Sequence, residues 1–547
     1  MFVLTVIPIT NRPLPGSLTY YSDIASQRGA VIEVPLGNAQ VYGIVVASET
    51  LRAARGKIRK AEYTIRKLTQ PQMLVHFSET FLGALMATAR TYLCPPSHLA
   101  HALLPDSLLQ HLLASGSLQA KHIHIYPTWR EATFASKFVH SNAAILHTTL
   151  TKKQQERMLQ KDHGELVTTP SFAWAYLLHG ATATIHQADS EHYYRPRKPW
   201  FDYAAFLQSL GVALGTSVTL SKSLATLDSA AISLIQAPLN DKLGYAIVLH
   251  PNILLHIKKL VDAGEKVLVL SPRSGFATGV RCRDCGTVAH DERTGDRYRL
   301  EEVAPGEFYY TTTHSRTTAG HTCQKCQGTN IAMFGFGTDA FDKILSRNFG
   351  AVPYFRVEAS TGKRALTQAE QAPHGLVLGT WSAAAHLAPQ SYHSVVLGLE
   401  FLMGIPGAYQ LEYVLRRLAR LQSSSKTLAV SQHDAKHPLV NALAAGTWQS
   451  LVSLEEAMRQ QLGYPPHGKA VVIRSVIHRG GGAPIRTALQ QVLQGKAWVW
   501  HTKPSKVHSE ELTITCTAKH EDELVSMIES IRRHLPKADL QLHPRSL

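Results

Sequence analysis

Apolar and polar positions change rhythm several times along the chain. The start, "MFVLTVIPITNRPLPG", reads as a strand that breaks at Pro8. "GAVIEVPLGNAQVYGIVVAS" carries two β-branched runs on either side of Gly37-Asn38, the pattern of a hairpin. Residues 71–115 have helical spacing, interrupted by Pro95-Pro96 and Pro105. From residue 120, "HIHIYP", "AAILHTT", "ELVTTP", "ATIHQAD" and "VALGTSV" each look like a strand followed by a turn, with helical stretches between them. That alternation predicts a parallel α/β sheet. It resumes after 240 in "HIKKLVDAGEKVLVLSP", stops between about 276 and 334, and returns in "PYFRVEA", "GLVLGT" and "HSVVLGLEF". The last hundred residues alternate helix and strand, through "KAVVIRSVI" and "LTITCTA", as in a small α+β domain.

Length and charge add a partner class. A chain of 547 residues has room for three or four domains. Its 44% apolar and 18% charged content fits a soluble globular protein. The net charge of +16 points to a polyanion, most often nucleic acid. "LRAARGKIRKAEYTIRK" concentrates the charge, and Arg55, Lys57, Arg59 and Lys60 are candidate phosphate contacts. A solvated loop explains the same run equally well. No apolar run has the length of a membrane span, and the start lacks the basic flank of a secretion signal. A cytoplasmic protein with no membrane partner is therefore expected. The 29 histidines find no role at this level.

The sharpest local signal is metal. "VRCRDCGT" and "HTCQKCQGT" supply Cys282, Cys285, Cys323 and Cys326. A two-residue gap lets both sulfurs of each pair reach one ion, and Gly286 and Gly328 suit the tight turns of zinc knuckles. Four thiolates make a closed, structural Zn2+ site; redox pairs and an iron–sulfur cluster are weaker alternatives.

Taken in order, these features resemble the PriA family of replication-restart DNA helicases. "RPLPGSLTYY" and "RGAVIEVPLGNAQVYGIVV" are similar to its domain that captures the 3′ end of a nascent strand. "AAILHTTLTKKQQERM", "GELVTTPSFAWA", "DSEHYYRPRKPWFDYAAF", "GEKVLVLSPRSGFATGVRCRDCG", "GFGTDAFDKIL", "LVLGTWSAAAHLAP" and "GYPPHGKAVVIR" resemble later segments. The resemblance implies an α/β multidomain fold. A β-rich N-terminal DNA-binding domain with a helical segment would span 1–112, and a degenerate helicase lobe 120–236. A second RecA-like lobe would span 240–450, with a zinc-binding insertion at about 276–334, and a C-terminal α+β domain 451–547. It also implies a 3′-end pocket at Leu18, Thr19 and Gly37, with Leu18 standing where the family has an aromatic residue.

Departures from the family argue against a motor. ATP hydrolysis needs a strand, a G-x-x-x-x-G-K-S/T loop and a helix, because loop amides and lysine hold the phosphates. The formal match, "GYPPHGKA", ends in Ala470, contains two prolines and runs into a strand. The connector "LLPDSLLQHLLASGSLQAK" has no room for the phosphate loop or for the family's winged helix. In the acidic box Asp189, Glu191 and His192 remain, but Ser190 stands at the glutamate that would orient water. Arg416, Arg417 and Arg420 lie where arginine fingers are expected, on an amphipathic helix without the family's glycines. Two of the family's four cysteine pairs are absent, so one zinc is expected. ATP and Mg2+ are not expected as cofactors.

DNA contact survives better in this reading. Tyr193, Tyr194 and Trp200 alternate with Arg195, Arg197 and Lys198, as in loops that stack bases and follow phosphates. Aromatics tucked into the domain would give the same sequence. The expected function is binding of forked or single-stranded DNA in replication restart without unwinding. The chain is expected to be a monomer, with other primosome or single-strand-binding proteins as partners. An active 3′-to-5′ helicase and a zinc-bearing adaptor for protein or RNA are the alternatives.

Overall fold

A computed structural model describes residues 1–542 apart from 13, 15–16, 55–64, 69–70, 116–117, 196, 238–248, 273–278, 292–296, 305–306, 313–315, 321, 335–336, 359–360, 385–386, 388, 400–409, 434–435, 466, 479–480, 507–508 and 536–537. Residues 1–223 and 224–547 form two compact units.

The first unit opens with β1 (Phe2–Pro8), β2 (Leu18–Ser22), β3 (Ala30–Leu36), β4 (Ala39–Thr50), β5 (Arg66–Leu68) and β6 (Val75–His76), a sheet in the order β5-β2-β1-β4-β3-β6. The predicted hairpin is β3–β4, paired from Val31↔Ile44 to Leu36↔Ala39. Gly37 takes φ +64° in its turn, a conformation that suits glycine. Alternation along the strands sends Leu4, Val6, Ile32 and Val34 to one core and Ile7, Val31 and Ile44 to another.

Three helices follow, α1 (Glu79–Thr91), α2 (Pro96–Leu103) and α3 (Asp106–Ser115), and they restart at the prolines that interrupt the sequence pattern. A parallel sheet comes next. It contains β7 (Ala120–Ile125), α4 (Trp129–Phe138), β8 (Ala144–Leu146), α5 (Lys152–Leu159), β9 (His163–Thr168), α6 (Pro170–Leu178), β10 (Thr182–Ile185), α7 (Tyr203–Leu214) and β11 (Val218–Leu220). The strand order is β11-β10-β7-β9-β8. Trp174 on α6 stacks on Phe81 of α1 at 4.6 Å and donates to the Leu103 carbonyl at 2.7 Å. One buried cluster therefore runs from Ile7 and Ile44 of the first sheet to Ile123 and Ile185 of the second.

Strand assignment from "VALGTSV" needs correction. Val212 to Leu214 close α7, Gly215 ends it at φ +67°, and the strand starts only at Val218. The glycine is a helix stop, a role that apolar spacing does not reveal.

The second unit holds β12 (Ile232–Gln236), α8 (Pro251–Asp262), β13 (Lys266–Leu270), β14 (Gly279–Cys282), β15 (Arg299–Ala304), β16 (Glu307–Thr311), β17 (Arg316–Thr318) and β18 (Ile331–Phe334). It continues with α9 (Thr338–Phe349), β19 (Tyr354–Val357), α10 (Lys363–Gln371), β20 (Gly375–Gly379), α11 (Trp381–Ala384), β21 (His393–Val396), α12 (Gln410–Ser424) and β22 (Leu428–Gln432). It ends with α13 (Pro438–Ala445), α14 (Trp448–Leu462), β23 (Lys469–His478), α15 (Gly482–Val492), β24 (Ala497–Lys506), β25 (Ser509–Ala518), α16 (Glu521–His534) and β26 (Asp539–Leu542).

Its main sheet is parallel, β12-β22-β21-β13-β20-β19, with apolar cores on both faces. β12 pairs with β22 from Ile232↔Leu428 to Gln236↔Gln432, so residues 224–236 belong here and not to the first lobe. Between β13 and α9 the parallel rhythm gives way to an antiparallel β14–β18 pair and a β15–β16–β17 meander, as the break at 276–334 suggested. The C-terminal sheet, β24-β25-β23-β26, is antiparallel.

Candidate nucleic-acid interface and metal centre

In the first sheet, β2, the end of β3 and β5 converge on a pocket of about 270 Å³. Its walls are Leu14, Leu18, Thr19, Tyr20, Pro35, Leu36, Gly37 and Arg66. The structure thus brings together Leu18, Thr19 and Gly37, which the sequence singled out. Parallel pairing of β2 with β5 puts Tyr20 beside Arg66, and the Arg66 guanidinium donates to the Gly37 carbonyl at 2.7 Å. Tyr20 is buried and donates its hydroxyl to the Pro35 carbonyl at 2.9 Å, bracing the same turn. A cation, a hydroxyl and aliphatic walls in one small pocket suit a sugar–phosphate end better than a stacked base. Sequence reasoning missed Arg66, although it lies within the basic run already noticed. Arg55, Lys57, Arg59 and Lys60 lie outside the described residues.

The aromatic loop reads differently in three dimensions. Tyr193 is fully buried and its hydroxyl lies 2.8 Å from the Ile125 carbonyl and 2.7 Å from the His186 carbonyl. Tyr194 is also buried, edge-on to Tyr92 at 6.3 Å. Neither ring offers a face to a base, which corrects their assignment as stacking platforms. Arg195 turns inward as well, donating to the carbonyls of Arg197 at 2.8 Å and Lys198. Arg197 and Lys198 are exposed and Trp200 half-buried, with the Lys198 ammonium 5.5 Å from the Trp200 ring. These three lie nearer the surface than the two tyrosines.

The acidic box has become a structural joint. Asp189 accepts from the Ser223 N–H at 2.7 Å. Ser190 is buried and accepts from the His192 N–H at 3.3 Å, capping a single 3-10 turn over Glu191–Tyr193. Glu191 and His192 face each other at 3.9 Å. The neighbouring strand β7 is the first of its parallel sheet, and a phosphate-binding loop would follow such a strand. The turn after "HIHIYP" offers no such loop either, beside the connector before it that is already too short. That turn is Tyr126-Pro127-Thr128, with Thr128 accepting from the Glu131 N–H to start α4. It has neither glycine nor lysine. "GYPPHGKA" opens with Gly463 as the left-handed cap of α14 and runs into β23. On α12, Arg416 is buried and Arg417 stacks over Tyr413 at 4.1 Å, while Leu411, Leu415, Leu418 and Leu421 face the core.

The four cysteines meet. Cys282 Sγ lies 3.6 Å from Cys326 Sγ, Cys285 Sγ 3.5 Å from Cys323 Sγ, and all four sulfurs lie within 4.8 Å of one another. A tetrahedral ion with Zn–S bonds of about 2.3 Å separates sulfurs by roughly 3.8 Å, so the set fits zinc. Gly286 takes φ +75° in the first knuckle. In the second, Gln327 carries the left-handed conformation, and Gly328 is needed for space: a Cβ there would sit 2.6 Å from Asp284 Oδ2. The Lys325 N–H points at Cys323 Sγ at 3.4 Å. Hydrogen bonding with Thr287 draws the Cys285 thiol down to about 6, towards the thiolate that a metal binds.

The fold and these sites define a multidomain α/β protein with a β-rich pocket domain and a four-cysteine centre. Comparison with known proteins narrows the class. The family model of the PriA 3′DNA-binding domain matches residues 6–105. Replication restart protein PriA of Synechocystis sp. is 23% identical over 220 residues, 37% of this chain and 26% of that protein. The Haemophilus influenzae protein of that name is 22% identical over 240 residues, 41% of this chain and 32% of its own length. The Bacillus subtilis one is 20% identical over 233 residues, covering 39% and 28%. The matches thus span about a quarter to a third of these curated relatives. The chain is a PriA-like protein. Among solved structures, Mycobacterium smegmatis helicase Lhr bound to ssDNA and AMP-PNP shares 12% identity over 83% of this chain and 61% of that one. Its TM-score of 0.32 supports no argument.

Proposed function

We propose that this chain binds the free 3′ end and adjoining single strand of forked DNA, and serves replication restart without hydrolysing ATP. The pocket around Leu18, Thr19, Gly37 and Arg66 carries this reading, because it lies within the residues that match a 3′DNA-binding domain. Arg66 and the Thr19 hydroxyl supply polar contacts for a terminal sugar and its phosphate, and Leu18 covers an apolar edge. Arg197, Lys198 and Trp200 offer a second contact for single-stranded backbone. Cys282, Cys285, Cys323 and Cys326 hold one structural Zn2+, which ties β14 to the turn before β18. With Asp189 bonded to backbone and no phosphate cradle after β7, the first unit is a scaffold and not a motor. The protein acts as a cytoplasmic monomer beside primosome or single-strand-binding proteins.

The test compares fluorescence anisotropy of forks whose leading arm ends in a 3′-hydroxyl, in a 3′-phosphate, or short of the junction. Tighter binding to the first is expected. Equal affinity for all forks, duplex and unrelated RNA would leave only charge. ATP hydrolysis stimulated by forked DNA would replace the scaffold with a helicase.

A further inference from the structure

Histidines that had no role in the sequence gather on one face of the first parallel sheet. Alternation along β7 turns Ile123 and Ile125 into the core and puts His122 and His124 on the opposite face. β10 delivers His186 just past its end, and the chain after α4 delivers His140. His124 Nδ1 lies 3.1 Å from His186 Nε2, and the His124 and His140 rings stack with centroids 3.7 Å apart. One nitrogen from each of His124, His140 and His186 lies within 4.8 Å of the others.

The surrounding side chains hold this set in place. Tyr126 stacks on His186 at 4.4 Å and its hydroxyl lies 3.2 Å from His140 Nε2. The Tyr193 hydroxyl fixes the His186 carbonyl at 2.7 Å. His122 is bound to Thr182 at 2.7 Å and Thr184 at 3.1 Å, so it stands outside the trio and flanks it. Glu165 Oε2 lies 3.9 Å from His124 Nε2, a buried nitrogen with no hydrogen-bond partner among the described residues.

We propose that His124, His140 and His186 bind a divalent first-row transition ion, Zn2+ foremost, separately from the four-cysteine centre. Tetrahedral M–N bonds of about 2.0–2.1 Å place donor nitrogens roughly 3.3 Å apart. The 3.1 Å approach of His124 to His186 already has that spacing, while His140, stacked on His124, must tilt out of the stack to turn a nitrogen to the ion. With His124 ligating through Nδ1, its Nε2–H faces Glu165, the carboxylate partner that commonly orients a metal-bound imidazole. Three imidazoles leave a fourth position for water. Burial, reinforced by the neighbouring histidines, also keeps these rings neutral, as a metal requires. Two imidazoles sharing one proton could make the same 3.1 Å contact without metal, and the experiment separates the two.

The full-length protein, with its cysteine centre loaded with Zn2+, is titrated with Co2+ and, separately, with Zn2+ against a chromogenic chelator. One further equivalent is expected, with a tetrahedral Co2+ spectrum that lacks thiolate charge transfer. The variants His140→Gln and His186→Gln should weaken that equivalent at least tenfold and leave the first intact. Absence of a further equivalent in the unaltered protein, or equal binding by the folded variants, overturns the proposal. If a variant fails to fold, the Co2+ spectrum of the unaltered protein decides: nitrogen-rich tetrahedral absorption supports the site and its absence rejects it.

Discussion

The Arg66 guanidinium donates to the Gly37 carbonyl at 2.7 Å, joining the last strand of the basic run to the turn of the β3–β4 hairpin. The contact holds the cation at the mouth of the pocket without neutralising it, since a carbonyl carries no net charge. Arg66→Ala is therefore expected to weaken binding of 3′-ended single strands by about ten- to a hundredfold, the roughly 1.5–3 kcal/mol of a charged hydrogen bond. The slope of log K against log salt should fall by about 0.7, one phosphate contact on a single strand. Anisotropy titrations at several salt concentrations measure both; an unchanged slope would remove Arg66 from the interface.

Tyr193 and Lys198 lie five residues apart and should behave oppositely. Tyr193→Phe removes the hydroxyl shared by the Ile125 and His186 carbonyls, costing about 1–3 kcal/mol of stability. DNA affinity at low temperature should not change. Lys198→Ala, on an exposed side chain, should leave the denaturation midpoint in place and lower the salt slope. Urea melts paired with DNA titrations check the pair; a Tyr193→Phe protein of normal stability and poor DNA binding would restore the stacking role.

Why the sequence misplaced these two tyrosines has a physical answer. Composition marks the loop as aromatic and basic, but burial depends on where β7 and α1 lie, and neither is local to the loop. Tyr92, which lies just past α1 and is separated from the loop by five helices and four strands, meets Tyr194 edge-on. The cysteine centre was legible because two knuckles encode their own turns and the spacing fixes the chemistry. The hairpin at Gly37 and most strands of both parallel sheets were legible because their periodicity is local, whereas β11 was misplaced and β12 and β22 were not singled out. Arg66 and the histidine trio were not, since strand order alone brings β5 to β2 and β10 to β7.

The histidine trio also sets a pH dependence. Burial, with coulombic help from His140 and His122, pushes His124 down to about 3 and His186 to about 4, against 6.5 for the free side chain. His122, His140 and Glu165 face the same cluster. Well above the unfolded value of about 6.5 the His124 and His186 rings are neutral in both states and add no pH dependence. Below it the unfolded chain takes up protons that the folded one refuses, so stability falls as pH drops from about 6.5 towards 4. The loss should be on the order of 1 kcal/mol per pH unit for each ring. Urea midpoints of the first unit's unfolding between pH 7 and 4.5, with no added transition metal, measure it. His124→Asn combined with His186→Asn should flatten the curve.

Stripping zinc from the cysteines should act locally. Cys282 is the last residue of β14 and pairs with Ile331 of β18, so the thiolates close a loop of about forty residues. A chelator, or Cys323→Ser, is expected to release one zinc per chain from this centre. Amide exchange across 279–291 and 322–334 should rise, while β13 and β20, fully buried in the parallel sheet, stay protected. Loss of protection throughout that sheet would show that the metal supports the whole unit.

Asp189 makes the sharpest distinction between scaffold and motor. In a motor its carboxylate would help hold magnesium, so Asp189→Asn would abolish hydrolysis and spare folding. Here it accepts the Ser223 N–H at 2.7 Å, and the turn after β7 presents Tyr126, Pro127 and Thr128 in place of a phosphate cradle. The unaltered protein is therefore expected to show no DNA-stimulated ATP hydrolysis. Asp189→Ala should cost about 1–3 kcal/mol, because it leaves the N–H of a buried residue without its carboxylate. Asp189→Asn should recover most of that loss, since the amide oxygen still accepts. A phosphate-release assay with forked DNA and thermal melts of the three proteins check both halves. Stimulated hydrolysis that disappears in Asp189→Asn while the melting temperature holds would make this carboxylate catalytic.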